Sequence, residues 1–202
     1  MNRQTSTRQK VLDVACGLFY SNGFNGTSVR DIASAAKVNV SLINYYFKSK
    51  QGLFESLAIN YFEPYLEMME EELSYCKEGR MESLVKRILQ YKQTHYQLSC
   101  LLYRELSLNT VFAREMLVTY LAKENHLFTQ LLFQKVNPIE VTFKEKLCLL
   151  QLKGLLNAPF MMPQEFRDPF ITEASIDHFV EVYSHLMMQR KSMQHEQVTV
   201  NA

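Results

Sequence analysis

The chain has 202 residues, 47% of them hydrophobic, and a formal net charge of +1 at pH 7. This is enough to bury a sizeable core, and with only six Gly, five Pro and little strand-like alternation the composition excludes a strand-rich fold and predicts an all-α protein. No uncharged apolar run approaches the ~18 residues that cross a bilayer, and no segment has the pattern of a cleavable signal. We therefore expect a cytoplasmic protein.

The near-neutral total conceals two regions of opposite charge. Residues 1–50 carry seven Lys or Arg against two Asp, a net charge of +5, whereas the remaining 152 residues carry fifteen basic and nineteen acidic side chains, a net charge of −4. A basic N-terminal region can be a disordered solubilising arm. Here the positive charges alternate with an ordered amphipathic pattern, which favours a nucleic-acid contact.

The first predicted helix covers about Thr7–Asn22, because four apolar side chains repeat on one of its faces: Val11, Ala15, Leu18 and Phe19. Turn signals follow at Gly23-Phe24 and Gly26-Thr27. The pattern predicts a short loop into a second helix.

Residues 27–50, TSVRDIASAAKVNVSLINYYFKSK, predict two short helices joined by a tight turn. Ser28 is placed as an N-cap with Asp31 three residues on, so the first helix should run over Val29–Ala36. Lys37-Val38-Asn39 interrupts it, and Asn39 should cap a second helix over Val40–Phe47. Ala33 and Ala36 are small enough to let two helices cross closely, as a helix-turn-helix requires.

Taken together, the order GF, TSVRDIA, YYF, K-x-K and LF resembles the DNA-binding domain of the TetR family of regulators. The resemblance implies a three-helix DNA-reading domain at 1–48, joined to a larger helical dimerisation and regulatory domain at 49–202. Three positions depart from the family pattern: Lys37 stands where Gly is frequent, Asn44 where Tyr is common and Leu42 where a small polar residue is common. Lys37 predicts a strained turn, since positive φ is unfavourable outside Gly.

Major-groove geometry predicts that Asn44 and Tyr45 face base edges, while Thr27, Tyr46, Lys48 and Lys50 hold phosphates. The full predicted DNA-binding set is Thr27, Ser28, Arg30, Lys37, Asn39, Val40, Ser41, Asn44, Tyr45, Tyr46, Lys48 and Lys50. The predicted partner is double-stranded DNA carrying an inverted repeat.

Beyond Lys50 the pattern is helix after helix. The first should begin at a Ser49 cap and continue to about Tyr75, with a kink or break at Pro64. Further helices are predicted at about 81–97, 98–107, 111–135, 140–158 and 174–191, with interruptions at 78–79, 137–138 and 159–169.

The last two helices predict a homodimer. The helix at 140–158 is apolar around most of its circumference, and the next helix carries one continuous apolar stripe, so two helices from each subunit could form a four-helix interface. Ordinary core packing within a monomer is the alternative. The predicted interface residues are Phe143, Leu147, Leu152, Leu155, Ile176, Phe179, Tyr183 and Leu186.

The sequence holds no motif for catalysis, metal or cofactor binding. It has no Gly-rich phosphate loop, G-x-S-x-G, H-E-x-x-H or Cys-x-x-Cys, and its five His lie apart, so we expect no enzyme, no metal site and no cofactor. The four scattered Cys predict buried free thiols. Met161-Met162 and Met187-Met188 could line a small-molecule pocket or simply pack in the core and interface.

An Arg-Glu pair recurs at Arg104-Glu105 and Arg114-Glu115, and these four residues are either surface ion pairs of little energy or a docking site for another protein. The segments VNVSLINYYF, YREL, AREM and LLNAPFMMPQEFRDPF resemble TetR-family members of spore-forming Bacillus relatives that link chromosome position to assembly of the division protein FtsZ. Two outputs stay open: contact with a division protein such as FtsZ, and repression controlled by a small molecule.

Overall fold

The computed structural model describes residues 3–75, 80–108, 111–135, 137, 140–162, 172 and 174–182. Within these ranges there is no β-strand, and none of the helices is long and apolar enough to cross a membrane. The helices are α1 (Arg3–Asn22), α2 (Val29–Ala36), α3 (Val40–Phe47), α4 (Lys50–Tyr75), α5 (Arg80–Thr94), α6 (Tyr96–Ser107), α7 (Val111–Phe133) and α8 (Phe143–Met161). Residues 174–182 are also helical and are called α9. The predicted all-α class is confirmed.

Local capping sets the helix boundaries that were predicted best. α2 and α3 begin and end at the predicted residues. Their first residues are fixed by Ser28 and Asn39, because each accepts a hydrogen bond from the turn that follows it. The predicted Ser49 cap of α4 is also present, since the Gly52 amide donates to Ser49 Oγ over 3.0 Å.

Other boundaries differ from prediction for identifiable reasons. α8 starts at Phe143 because Thr142 and Glu145 form a reciprocal capping box there. The helix continues through Pro159, which lies in its last turn, where a missing amide removes only one hydrogen bond and where Phe160 remains buried. α4 likewise continues through Pro64, so a break at that residue is wrong. α5 and α6 meet at His95 rather than near residue 97.

Two compact units are present, residues 1–67 with 94–125 and residues 68–93 with 126–202. The first unit therefore contains the helix-turn-helix, most of α4, all of α6 and α7 as far as Asn125. The predicted division of the chain at residues 48 and 49 stays a prediction.

The first unit is centred on an aromatic cluster that joins α1 to α4. Phe19, Phe24 and Phe54 have ring centroids 5.2–5.9 Å apart. Deeper along α4, Tyr65 donates a 2.8 Å hydrogen bond to buried Glu124 of α7, and the hydroxyls of Tyr61 and Ser99 lie 2.9 Å apart. Burial is the largest cause that raises the pKa of Tyr65 well above its ordinary value.

Ion pairs and a buried hydrogen bond join distant segments of the second unit. Arg87 donates to Glu72 at 2.6 Å, and Lys86 donates to Asp177 of α9 at 2.7 Å. Lys92 is 1% exposed and donates to Asn157 of α8. These contacts attach α5 to the end of α4, to α8 and to α9.

Gly52 gives a test of the tight connection between α3 and α4. A Cβ on Gly52 would lie 2.1 Å from the Phe47 carbonyl oxygen. We expect Gly52→Ala to lower the free energy of unfolding by about 2 kcal/mol, because backbone has to shift, although Ala normally favours a helix over Gly. Urea denaturation measures the effect.

Gly17→Ala is the matched control, because nothing lies within 4 Å of a Cβ built on Gly17 in α1. This variant should be neutral or more stable by up to about 1 kcal/mol. Equal stability changes in the two variants would contradict the steric account of Gly52.

Candidate nucleic-acid interface

A reciprocal capping box starts α2. The Asp31 amide donates to Ser28 Oγ at 3.2 Å, and the Ser28 amide donates to Asp31 Oδ2 at 2.8 Å. Hydrogen bonding of the Asp31 carboxylate to the side chain and to the backbone amide of Ser28 lowers the pKa of Asp31 below its ordinary value. Ile32, Ala33 and Ala36 are buried, which leaves Arg30 on the exposed side of the helix.

One face of α3 is exposed and polar, and the opposite face is buried. Ser41, Asn44, Tyr45 and Lys48 follow the spacing i, i+3, i+4, i+7, and all four are exposed, with Tyr45 at 68%. Ile43 and Phe47 face inward at 0% and 4% exposure. The helix therefore presents hydroxyl, amide, phenol and ammonium groups on a single surface, the donors and acceptors that read base edges and phosphates.

α2 and α3 are each capped at the carboxyl end by a lysine with positive φ. Lys37 has φ 55° at the carboxyl end of α2, as the sequence predicted, and its amide donates to the Ser34 carbonyl. Lys48 has φ 64° at the end of α3, and its amide donates to the Asn44 carbonyl. Both conformations are unfavourable for a side chain with a Cβ, so the hydrogen bonds and packing around them have to hold the turns.

The predicted DNA contacts are not all available at the surface. Thr27 is 1% exposed, and its hydroxyl donates to the Gly23 and Leu18 carbonyls at 2.9 and 3.2 Å. The Lys50 ammonium donates to the Phe24 and Thr27 carbonyls at 2.9 and 3.0 Å and lies 4.4 Å from the Phe24 ring centroid. In the free protein these two side chains hold the loop between α1 and α2, which does not support their predicted role on phosphates.

The other predicted contacts lie at or near the surface. Asn39 Oδ1 accepts from the Ser41 amide and hydroxyl, both at 2.9 Å, and Val40 and Tyr46 are half-buried. Lys48 Nζ donates to the Tyr45 carbonyl at 3.3 Å and lies 5.9 Å from the Tyr45 ring centroid. Their contacts with DNA stay predictions.

Arg104 has a structural position that sequence reasoning did not identify. Its guanidinium donates to the Phe19 and Tyr20 carbonyls at 2.6 and 3.0 Å, at the carboxyl end of α1. Glu105 is 8% exposed. Their predicted place on a protein-docking surface is therefore not supported, whereas Arg114 and Glu115 are exposed. No local pattern could reveal the Arg104 contact, because 84 residues separate it from Tyr20.

α8 has one apolar stripe that is buried within its own protomer and a second apolar stripe that is exposed, called the bare stripe. Cys148, Leu152, Leu156 and Phe160 are buried. The exposed large apolar side chains of the helix are Phe143, Leu147, Leu150, Leu155 and Met161, at 40–74% exposure.

The predicted dimer residues divide accordingly. Leu152 and Ile176 are 0% and 4% exposed, so they belong to the core of the protomer rather than to an open interface. Phe179 is half-buried. Tyr183 and Leu186 lie outside the described residues.

The remaining candidate groups, where the structure describes them, form no metal site. Among the described residues no group of three or more His, Cys, Asp or Glu could hold a metal ion. Cys16, Cys100 and Cys148 are free thiols, and burial raises the pKa of Cys16 and Cys100 to about 11. Met161 and Met162 are 54% and 41% exposed, which does not favour a pocket lined by them, and Met187-Met188 lie outside the described residues.

A helix-turn-helix with an exposed polar reading face, joined to a larger helical body, defines the class of helical DNA-binding regulators. The profile of "Bacterial regulatory proteins, tetR family" matches residues 11–57. The chain is 35% identical over 185 residues to "Probable HTH-type transcriptional regulator YttP" of Bacillus subtilis (strain 168), and the match covers 89% of each chain. The protein belongs to the TetR family, whose members are regulators of transcription rather than enzymes.

Solved structures share the fold at low sequence identity. A TetR-family transcriptional regulator from Bordetella parapertussis 12822 has a TM-score of 0.70 at 20% identity, covering 89% of this chain and 93% of that one. The TetR family transcriptional regulator PfmR from Thermus thermophilus has a TM-score of 0.71 at 15% identity, covering 87% and 94%. These similarities extend through the helical body.

Lys48 and Lys50 make a matched pair for testing the interface. We expect Lys48→Gln to weaken binding to all DNA sequences alike and to make the salt dependence shallower by roughly one unit for each copy of Lys48 on the DNA, because a phosphate contact is lost. Binding titrations at several salt concentrations measure both quantities.

Lys50→Gln should instead lower the free energy of unfolding by about 1–3 kcal/mol, because two carbonyls lose a charged donor. Its salt slope should equal that of the wild type. A Lys48 variant with full affinity and an unchanged slope would show that this side chain does not contact DNA.

Proposed function

We propose that the protein is a homodimeric, sequence-specific DNA-binding regulator that reads an inverted repeat. The exposed face of α3, with Asn44 and Tyr45 at its centre, carries this proposal. An Asn can make a bidentate contact with adenine that discriminates against other bases by about 1–3 kcal/mol. The basic N-terminal region would supply the less specific attraction to phosphates.

Dimerisation is supported by the bare stripe of α8. Phe143, Leu147, Leu150 and Met161 lie on the side of the helix opposite Leu152 and Leu156, and Gly154 between them leaves room for close approach of another helix. A continuous apolar stripe of this kind favours burial against a second copy. Two copies related by a two-fold axis would read half-sites about one helical turn apart, ~34–36 Å.

For the output of DNA binding, we propose a link between chromosome position and cell division through contact with FtsZ. The sequence resemblance is to RefZ, a TetR-type DNA-binding protein of spore-forming Bacillus relatives that regulates FtsZ assembly. Exposed Arg114 and Glu115 are the members of the predicted docking set that could meet such a partner. The protein would then act in septation and sporulation from the nucleoid.

Repression relieved by a small molecule is the second candidate, and the Arg104 contact favours it. This side chain joins α6 of the helical body directly to the end of α1 in the reading domain. A ligand that shifted α6 would therefore alter the support of α1. Coupling free energies of this kind are typically about 1–3 kcal/mol.

The dimer is tested by placing carboxylates on the bare stripe. Leu147→Glu combined with Leu150→Glu should raise the dimer dissociation constant at least ~100-fold, because burying unpaired carboxylates costs several kcal/mol. Sedimentation velocity measures the association.

Val118→Glu is the control, since Val118 is a 57% exposed apolar residue of α7. It should leave the dimer intact. A wild-type protein that is monomeric at micromolar concentration and still binds DNA tightly would rule out the dimer proposal.

The two outputs are separated by mapping occupancy on the chromosome together with the Arg114→Ala, Glu115→Ala double variant. A positional regulator should occupy sites at particular chromosomal distances irrespective of promoters, and the double variant should lose its effect on division while keeping DNA affinity. A repressor should instead occupy one or a few promoters, and the double variant should behave as the wild type.

Arg104→Ala serves as the contrasting variant. It should impair stability and DNA binding together, because it removes two hydrogen bonds at the end of α1. If the double variant also lost DNA affinity, Arg114 and Glu115 would not form a separate docking surface.

A further inference from the structure

A cleft of about 440 Å³ lies within the first compact unit, between α1, α4 and the junction of α5 with α6. This volume is in the range of small-molecule sites, roughly 300–1,000 Å³. Buried Leu12 and Leu57, at 1% and 4% exposure, contribute an apolar floor. Exposed Asp13, Asn60 and His95 contribute polar groups at the rim.

The negative charge of Asp13 at the rim of the cleft determines which ligand charge the cleft favours. Asp13 brings a carboxylate to the cleft, and the described lining residues include neither Lys nor Arg. Partial burial lowers the pKa of His95 below its ordinary value, so the ring carries less positive charge than a fully solvated imidazole. A carboxylate beside an apolar floor attracts a cation and repels an anion.

We propose that this cleft is a binding site for a small organic ammonium ion, whose hydrocarbon part covers Leu12 and Leu57 and whose ammonium group pairs with Asp13. Asn60 supplies an amide that can accept a further hydrogen bond from the ammonium. The same charge disfavours carboxylate and phosphate ligands.

Two of the helices that line the cleft, α1 and α6, are also connected by the hydrogen bonds of Arg104. Asp13 and Leu12 lie on α1, residues 96–98 begin α6, and Arg104 of α6 donates to the last carbonyls of α1. An occupant of the cleft would thus contact both members of this joint. The site itself does not depend on the proposed DNA-binding output.

Isothermal titration of the full-length protein with phenethylamine tests the site, with 2-phenylethanol and 3-phenylpropionate as neutral and anionic analogues of similar shape. We expect saturable binding of the amine, binding of the alcohol at least tenfold weaker, and weaker binding still of the carboxylate. A tenfold difference corresponds to about 1.4 kcal/mol.

Variants locate the site. Asp13→Asn should weaken amine binding at least tenfold and leave alcohol binding unchanged, and Asn60→Trp, which fills the cleft, should abolish both. Glu67→Gln is the control, because it removes an exposed α4 carboxylate that does not line the cleft.

The proposal is overturned if the wild type shows no saturable binding of phenethylamine up to about 10 mM, a concentration at which only very weak sites stay empty. It is also overturned if Asp13→Asn binds the amine as the wild type does, or if the carboxylate binds as tightly as the amine. The titration contains no DNA, so none of these results would alter the proposed DNA-binding function.

Discussion

The reading helix α3 depends on how α1 is held, because α1 packs against both α2 and α6. The last carbonyls of any helix lack partners within it, and they attract positive charge. α1 has no basic residue in its own last turn, and the Arg104 guanidinium supplies that charge from α6. The rings of Phe19, Phe24 and Phe54 pack beside this contact and attach α1 to α4. The reading domain and α6 consequently belong to one compact unit.

Polar side chains near the reading helix are of two kinds. Some donate hydrogen bonds that stabilise the backbone of the reading domain, and others are exposed on its surface. Thr27 and Lys50 are polar residues near the reading helix, yet both donate to backbone carbonyls of the preceding loop. Asn44 and Tyr45 stay exposed. A basic or hydroxyl side chain beside a reading helix therefore need not contact DNA, since an unpaired carbonyl in a turn is an equally good acceptor.

The helical body shows the same division for apolar groups. α8 carries apolar residues on nearly every side, which indicates that it is covered twice. Leu152 and Leu156 meet the core of their own protomer, whereas Leu147 and Leu150 are exposed, and the proposed dimer would cover them. Periodicity alone places these residues on opposite sides of the helix. It does not say which side faces the protomer itself, because both are equally apolar.

Local interactions explain what could be determined from the sequence by itself, namely the all-α class and the bounds of α2 and α3. Both follow from contacts within a few residues, such as Ser28 with Asp31 and Asn39 with Ser41. The strained turn at Lys37 is expected from the family resemblance instead, because members often have Gly at that position. Tertiary structure decided the inward positions of Thr27 and Lys50, the contact of Arg104 with α1, and the cleft beside Asp13. The partners of Thr27 lie only four and nine positions away, but the other features join residues that are far apart in the chain, up to 85 positions for Arg104 and Phe19. No short-range pattern records which distant partner a polar side chain will meet.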